Sequence, residues 1–148
     1  EVSATASASS AFALESPGFL GIAGKVWDSM YVLLQYLMQH DDEFVRGKRI
    51  IELGCGTGLA GIALCLMEPQ SVLLTDLPDV KSFIAANILL NTAMASHARA
   101  KSILASRYAT AAYTWGNALS LEDGADSADS AILHANKTTA SATTCTTA

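Results

Sequence analysis

Between about residues 18 and 121, apolar positions recur with the period of an α-helix in three separate stretches. Spacings of i, i+3, i+4 and i+7 place such residues on one face of a helix that packs against a core. Asp28 and Asp79 precede two of the stretches and can cap their N-termini, and Pro69 follows the remaining stretch, 57–67. The predicted inward positions are Met30, Leu33, Leu34 and Leu37, then Leu59, Ile62, Ala63 and Leu66, and finally Val80, Phe83, Ile84 and Ile88.

Short apolar runs with the character of β-strands lie between these helices. The sequence GKRIIEL (47–53) predicts a turn that leads into a buried strand, and SVLLTD (71–76) predicts a second strand. A third strand is predicted within YATAAYTW (108–115). Strands that alternate with helices along the chain are typical of a parallel sheet with helical crossovers. The pattern therefore predicts an α/β fold, a Rossmann-like doubly wound parallel sheet.

The two ends of the chain differ in composition from this middle part. Residues 1–17 are rich in Ala and Ser without a clear period, and we interpret them as a mobile arm. Residues 18–121 form the predicted folded core. Residues 122–148 contain one apolar patch, within DSAILHAN (129–136), which we interpret as a degenerate fourth strand ahead of a low-complexity tail.

Composition narrows the classes of function. The chain has 148 residues, of which 51% are hydrophobic, and this suffices for one domain with its own core. Its net charge is −5 and its basic residues are scattered, which argues against nucleic acid as a partner. No apolar run reaches the ~18 residues that a membrane span needs. Cys55, Cys65 and Cys145 share no metal-ligand spacing, so we predict no metal site and a reducing, cytoplasmic location.

The sequence ELGCGTG (52–58) places three alternating glycines directly after the first predicted strand. Read from Gly56, GTGLAG also satisfies the dinucleotide pattern G-x-G-x-x-G. That pattern begins three residues after Leu53, whereas the first glycine of a dinucleotide site follows the strand directly. Glu52 would also repel a pyrophosphate, by ~4 kcal/mol for unit charges ~4 Å apart at an effective dielectric of ~20. The loop therefore favours a ligand that brings a positive charge.

S-adenosylmethionine is such a ligand, because it carries a sulfonium and an ammonium group and no phosphate. Gly54 and Gly56 would let the backbone approach its amino-acid end closely. Asp76 ends the second predicted strand, 22 residues after Gly54, where an acid can accept hydrogen bonds from both ribose hydroxyls. The position of Asp76 fits NAD equally well, so a dinucleotide-binding oxidoreductase domain stays open as an alternative.

Several segments together resemble the seven-β-strand protein methyltransferases of the lysine-methylating family 16 type. These are GKVWDSMYVLLQYL, GKRIIELGCGTGLAGIAL, LTDLPDV, NILLN and YTWG, which occur in the order of that family over roughly residues 21–117. The resemblance implies a class I methyltransferase fold and S-adenosylmethionine as cofactor for residues 18–121. It also implies a protein lysine as acceptor, in chaperones or translation factors. Charge and the length of the apolar runs, not the resemblance, predict that neither nucleic acid nor a membrane is a partner.

The resemblance also implies cofactor-binding roles for individual residues, whereas it leaves the catalytic residues unknown. Trp27 would lie over the cofactor pocket, Glu52, Gly54 and Gly56 would contact the methionine part, Asp76 would bind the ribose, and Trp115 would lie beside the adenine. Asn87 and Asn91 would belong to a helix that lines the site. Alternatively, the two tryptophans are ordinary core aromatics, and the two asparagines only bridge neighbouring backbone.

The chain departs from the family near its fourth strand. Family members carry Asp-x-x-Tyr there, whereas NKTT (136–139) stands at this point, with Asn136 and Thr139 at the two signature positions. We therefore expect a fold that is incomplete at the C-terminus and a truncated, weakly active or inactive methyltransferase. A catalytically silent remnant that binds the cofactor or serves as an interaction module is the alternative within the same family.

Overall fold

A computed structural model of the chain describes residues 3–6 and 12–117. Its centre is a parallel sheet of three strands, Arg49–Leu53, Ser71–Asp76 and Tyr108–Ala112, which lie side by side in chain order. Two 3₁₀ turns, Gly21–Gly24 and Leu64–Met67, interrupt the regular elements. The elements in chain order are β1 (Ser3–Ala6), β2 (Phe12–Glu15), α1 (Pro17–Leu20), α2 (Asp28–Gln39), α3 (Asp41–Phe44), β3 (Arg49–Leu53), α4 (Leu59–Ala63), β4 (Ser71–Asp76), α5 (Pro78–Met94), α6 (Ala98–Arg107) and β5 (Tyr108–Ala112).

The register of the sheet brings the ends of the strands together. Leu53 pairs with Thr75 across β3 and β4, and Asp76 pairs with Ala112 across β4 and β5. Because the strands are parallel, the segments that follow them leave the sheet at one edge. The parallel sheet with intervening helices confirms the predicted Rossmann-like α/β fold, and β4 has the predicted bounds.

The core lies between the sheet and the helices that follow its strands. Leu59 and Ile62 of α4, Leu74 of β4 and Ile84 of α5 are almost completely buried there. Tyr108, at the start of β5, donates its hydroxyl to the carbonyl oxygen of Gly61 over 2.7 Å and so ties β5 to α4. Close packing of this kind fixes the position of the loop between β3 and α4.

Strand β3 is not buried as predicted. Its residues alternate between the core and solvent, since Ile50 packs against the core whereas Ile51 and Leu53 are 48% and 51% exposed. Successive side chains of a strand point to opposite faces, so an apolar run does not by itself require burial on both. Among the described residues, only β4 pairs with β3.

Two helix residues that the periodicity predicts to face the core are exposed instead. Leu66 is exposed, because the chain tightens into a 3₁₀ turn after α4 and turns Cys65 and Met67 inward instead. Leu33 of α2 is exposed, whereas Leu34 is buried and Leu37 packs against the core. The other predicted helix of this kind, α5, buries Val80 and Ile84 as expected.

The predicted N-terminal caps lie one position or more away from the observed ones. Asp28 is the first residue of α2 and Trp27 holds the cap position, without a side-chain hydrogen bond. Asp79 lies in the first turn of α5, which begins at Pro78 because proline is preorganised for the first helical position. Both acids therefore lie in the first turn of their helices, where they interact favourably with the positive end of the helix dipole, and neither is a cap. Helix α6 was not predicted at all.

The segment interpreted as an arm, 1–17, contains elements that the pattern did not predict. Strands β1 and β2 pair antiparallel, with Ser3 opposite Glu15. The Oε1 atom of Glu15 accepts a hydrogen bond from the backbone N–H of Val26 over 2.8 Å, and Ser16 donates its N–H to the carbonyl of Gly24 over 2.9 Å. These bonds hold the turn ahead of α2. The predicted fourth strand, NKTT and tail lie outside the described residues.

Candidate functional site

The loop between β3 and α4 adopts a left-handed backbone at its alternating glycines. The φ angles of Gly54, Gly56 and Gly58 are 65°, 56° and 74°, a region that side chains rarely tolerate. A Cβ atom on Gly56 would in addition lie 2.8 Å from the carbonyl oxygen of Ala23. Cys55 donates its backbone N–H to the carbonyl of Thr75 over 3.0 Å. The loop is thus held between the end of β4 and the turn ahead of α2.

Asp76, the last residue of β4, joins three segments. Its Oδ2 atom accepts a hydrogen bond from the N–H of Gly56 and its Oδ1 atom accepts one from the N–H of Leu77, both over 2.7 Å. Its carbonyl oxygen accepts the N–H of Tyr113 over 2.7 Å. Because an ionised carboxylate has about four acceptor sites, two bonds leave it able to accept hydroxyl groups of a ligand.

Glu52 lies under the loop, and its side chain is largely shielded from water. Its Oε2 atom accepts the N–H of Gly61 in α4 over 2.9 Å. The pKa of Glu52 is raised from its ordinary 4.5 to about 7, mainly because burial disfavours the charged form; the bond from Gly61 opposes this shift and the charge of Asp76 adds to it. Gly61 is required at this contact, because a Cβ atom there would lie 2.5 Å from Oε2 of Glu52. The carboxyl is therefore placed to favour a cation.

Cys55 is chemically quiet in this setting. Burial raises the pKa of its thiol far above the ordinary value, and the charges of Glu52 and Asp76 act in the same direction. Only the thiolate is an effective nucleophile. The structure therefore assigns Cys55 a packing role in the loop.

Two adjoining cavities open beside the loop. The wider cavity has a volume of about 520 Å³ and is lined by Trp27, Gly54, Gly56, Asp76 and Trp115, five of the six residues predicted from the sequence. The narrower cavity has a volume of about 380 Å³ and contains the sixth, Glu52. Trp27 and Gly54 line both cavities. Residues of the walls that sequence reasoning missed are Ile22, Ala23, Lys25, Leu77, Tyr113 and Thr114 in the wider cavity, and Met30, Leu33, Thr57 and Ala60 among others in the narrower one.

The two tryptophans are wall residues of the cavity and not core residues. Trp27 is 51% exposed and Trp115 is 72% exposed. The indole N–H of Trp27 donates to the carbonyl of Ile22 over 3.2 Å, which sets the plane of the ring. A Cβ atom on Gly54 would lie 3.2 Å from Cζ2 of Trp115, so this second ring lies directly against the loop. The alternative that both are core aromatics is therefore wrong.

Asn87 and Asn91 of α5 are buried behind the loop and line neither of these cavities. Asn87 donates its Nδ2 to the carbonyl of Thr57 over 2.8 Å, and Asn91 donates its Nδ2 to the carbonyl of Asn87 over 2.7 Å. The bonds shown match the alternative role of bridging backbone. Asn87 supports the site by fixing the loop to α5.

Within residues 3–6 and 12–117, no cluster of three His, Cys, Asp or Glu side chains could hold a metal ion. No helix in the same part of the chain is long and apolar enough to cross a membrane.

Comparison with known proteins gives one family. The family model described as lysine methyltransferase matches residues 7–128. EEF1A lysine methyltransferase 3 of Mus musculus is 40% identical over 80 residues, which are 54% of this chain and 34% of that protein. Protein N-lysine methyltransferase METTL21A of Danio rerio is 37% identical over 102 residues, 69% of this chain and 42% of that protein. The chain thus spans about a third to two fifths of the length of these relatives.

Proposed function

Because this chain belongs to the lysine methyltransferase family, whose members generally use S-adenosylmethionine, we propose that it binds this cofactor at the two cavities beside the glycine loop. The observation that carries the proposal is the meeting of Trp27, Gly54, Gly56, Asp76 and Trp115 in one cavity of about 520 Å³. This volume is in the range of ~300–1,000 Å³ typical of small-molecule sites.

The donor set fits the chemistry of the cofactor. Asp76 keeps free acceptor positions for the ribose hydroxyls, and Glu52 offers a carboxyl to the ammonium group. Trp27 and Trp115 offer two aromatic faces, against which an adenine ring or a cationic group is stabilised. When bound, S-adenosylmethionine supplies a methyl group on a positively charged sulfur. The chain's own residues bind and orient this group, and the bond from Gly61 keeps the Glu52 carboxyl in place.

The same geometry argues against a dinucleotide. Backbone N–H groups of a glycine loop hold a pyrophosphate only if they are free to point at it. Here the N–H of Gly56 donates to Asp76, and the N–H of Gly61 donates to Glu52. A pyrophosphate could accept either N–H group only by lying next to the carboxylate that now accepts it, and the two negative charges would repel each other. An oxidoreductase of the dinucleotide-binding type is therefore the weaker hypothesis.

We further propose a lysine side chain of a protein as the methyl acceptor of the whole protein. Two relatives are named as lysine methyltransferases, one of them for EEF1A. A translation factor or a chaperone is the proposed class of partner, and the cytoplasm is the proposed location. Radiolabelled cofactor incubated with the whole protein and purified candidate acceptors would test this, and methylation of an acceptor at a residue other than lysine would contradict it.

Calorimetric titration of the 148-residue chain with S-adenosylhomocysteine, and separately with NAD, tests the cofactor. We expect saturable binding of S-adenosylhomocysteine and no saturation by NAD at the same concentrations. Asp76→Ala should weaken binding by ~1–3 kcal/mol, because a charged acceptor for the ribose hydroxyls is lost. The matched control is Asp79→Ala, which removes an exposed acid three residues away outside both cavities. Equal affinity in both variants, or tighter binding of NAD, would contradict the proposal.

A further inference from the structure

Lys25 is the cation of the two cavities. It lines both of them, and no other Lys or Arg of the described residues does so. Its Nζ atom lies 5.3 Å from the ring centroid of Trp27, within the range of a cation–π contact. In the part of the chain that the structure describes, no carboxylate lies within ion-pair distance of this ammonium group. Among the described residues, the contact of this ammonium group is therefore an aromatic ring and not a carboxylate.

The backbone around Lys25 is held on both sides. Gly24 before it is buried, accepts the N–H of Ser16 over 2.9 Å, and has no room for a side chain beside the Ser16 carbonyl. Val26 after it donates its N–H to Glu15 over 2.8 Å. The Cα position of Lys25 is therefore fixed, whereas its four-carbon side chain can still turn toward either cavity. This arrangement suits a residue that reaches for a ligand.

The amino-acid end of the proposed cofactor carries two opposite charges. Glu52, in the narrower cavity, can pair with the ammonium group. The carboxylate of the same ligand also requires a partner, because a buried unpaired charge is strongly unfavourable. Lys25 lines the same cavity as Glu52, so one acid and one base of the chain stand beside the place where one ammonium and one carboxylate would arrive.

We propose that Lys25 binds the carboxylate of the cofactor's amino-acid end and, together with Glu52, makes the site specific for a zwitterionic ligand. This inference rests on the proposed function. It deepens that function, because it separates ligands that share the adenosine and the sulfur but differ at the amino-acid end. In the free protein the Trp27 ring holds the ammonium, and binding moves it from the ring to the carboxylate.

The test compares S-adenosylmethionine with its decarboxylated form, which keeps the sulfonium and the ammonium and lacks only the carboxylate. Calorimetry on the full chain should show that Lys25→Met weakens binding of S-adenosylmethionine about tenfold to a hundredfold, the usual worth of a charge-assisted contact. The same variant should bind the decarboxylated form as the unaltered chain does. Lys25→Arg should retain most of the affinity for both ligands.

Lys101→Met is the matched control, since it removes an exposed lysine of α6 that lines neither cavity. Its affinity for both ligands should not change. If Lys25→Met loses affinity for both ligands, or keeps its affinity for S-adenosylmethionine, the assignment of Lys25 is overturned. The proposed cofactor still stands in either case. If the unaltered chain binds neither ligand, the proposed function fails and the assignment of Lys25 fails with it.

Discussion

Glu52 and Asp76 stand at the ends of neighbouring strands, but their surroundings support the two carboxylates to different degrees. Asp76 accepts two backbone N–H groups. Glu52 accepts one, from Gly61, and its carboxyl is largely shielded from water. Burial therefore disfavours the charged form of Glu52, and a cationic ligand would relieve that penalty. A residue that is unfavourable in the free protein is a reasonable component of a binding site.

This penalty predicts a pH-dependent effect of Glu52→Gln on stability. The folded pKa of about 7 lies above the ordinary 4.5, so the stabilisation by the protonated form is complete below pH 4.5 and lost as the pH rises through 7. Glutamine keeps an acceptor for Gly61 and never ionises. We compare the free energy of unfolding of the variant with that of the unaltered chain at pH 5 and at pH 8. The difference should move in favour of the variant by about 2–3 kcal/mol from the lower to the higher pH. Urea denaturation at both pH values measures this.

A gain that is the same at both pH values would show that Glu52 ionises normally. Glu68→Gln is unsuitable as a control, because Glu68 pairs with Arg99. Glu43→Gln is suitable, since Glu43 is exposed in α3 and contributes no described ion pair. Replacing this exposed side chain should change the free energy of unfolding by less than ~0.5 kcal/mol.

At the scale of elements, the glycine loop depends on α5 as much as on its own strands. Asn87 is completely buried and donates to the carbonyl of Thr57 within the loop. A loop with three left-handed glycines has a large conformational entropy when unfolded. The loop therefore needs such hydrogen bonds from neighbouring elements to keep its geometry. Here the bond comes from α5, a helix that lines neither of these cavities.

We expect Asn87→Ala to lower the free energy of unfolding by ~1–3 kcal/mol, because at least one buried carbonyl loses its donor. Ser106→Ala is the control: it removes a side-chain bond of 2.7 Å to the carbonyl of Ser102, but on an exposed face of α6. The control should change stability by less than ~0.5 kcal/mol. Chemical denaturation of both variants compares the two bonds. Equal effects would mean that the Asn87 bond does not stabilise the loop.

The elements also indicate which features the sequence could predict. The segment SVLLTD gave β4 with its observed bounds, and the acid at its end lies in the cavity because parallel strands end at one edge. The prediction that Leu66 points inward is wrong because this residue lies in a 3₁₀ turn, which has about 3.0 residues per turn and not 3.6. Helix α6 was missed because Ile103 and Leu104 are the only large apolar residues that it buries.

The sequence predicts the residues at the centre of the site better than the remaining residues that line the two cavities. Gly54, Gly56 and Asp76 could be predicted because they stand at the ends of strands, where sequence position constrains space. The two tryptophans of the same cavity were implied by the family resemblance alone. Lys25 and Leu33 line the narrower cavity for a different reason, namely how the segment ahead of α2 and α2 itself pack on the loop. Such packing depends on tertiary contacts, which the periodic spacing of apolar residues does not encode. The position of Lys25 two residues before Trp27 is the signal that could have indicated it.

At the scale of the whole molecule, the wider cavity joins parts of the chain that are far apart in sequence. Its walls come from the turn ahead of α2, the loop after β3, the end of β4 and the segment after β5. A ligand that contacts all four segments binds only when they are assembled. It therefore stabilises the folded chain against global unfolding by mass action.

S-adenosylhomocysteine at a hundredfold excess over its dissociation constant should add ~2.7 kcal/mol to the free energy of unfolding. For a chain of this length, the unfolding temperature should rise by about 5–10 °C. Gly54→Leu should abolish this rise by filling the cavity beside Trp115. Gly47→Leu is the matched control, because Gly47 has a similar φ of 67° but lies in open space. A ligand-induced rise that persists in Gly54→Leu would place the ligand elsewhere.

The exposure of Trp27 and Trp115 has a spectroscopic consequence. The chain contains two tryptophans, and both stand in the wall of the wider cavity, half or more in contact with water. No third indole in a core contributes a constant background to the emission. All of the tryptophan fluorescence therefore originates at the cavity, and a molecule that enters it displaces water from both emitters at once. The protein carries its own optical reporter of occupancy, without a label.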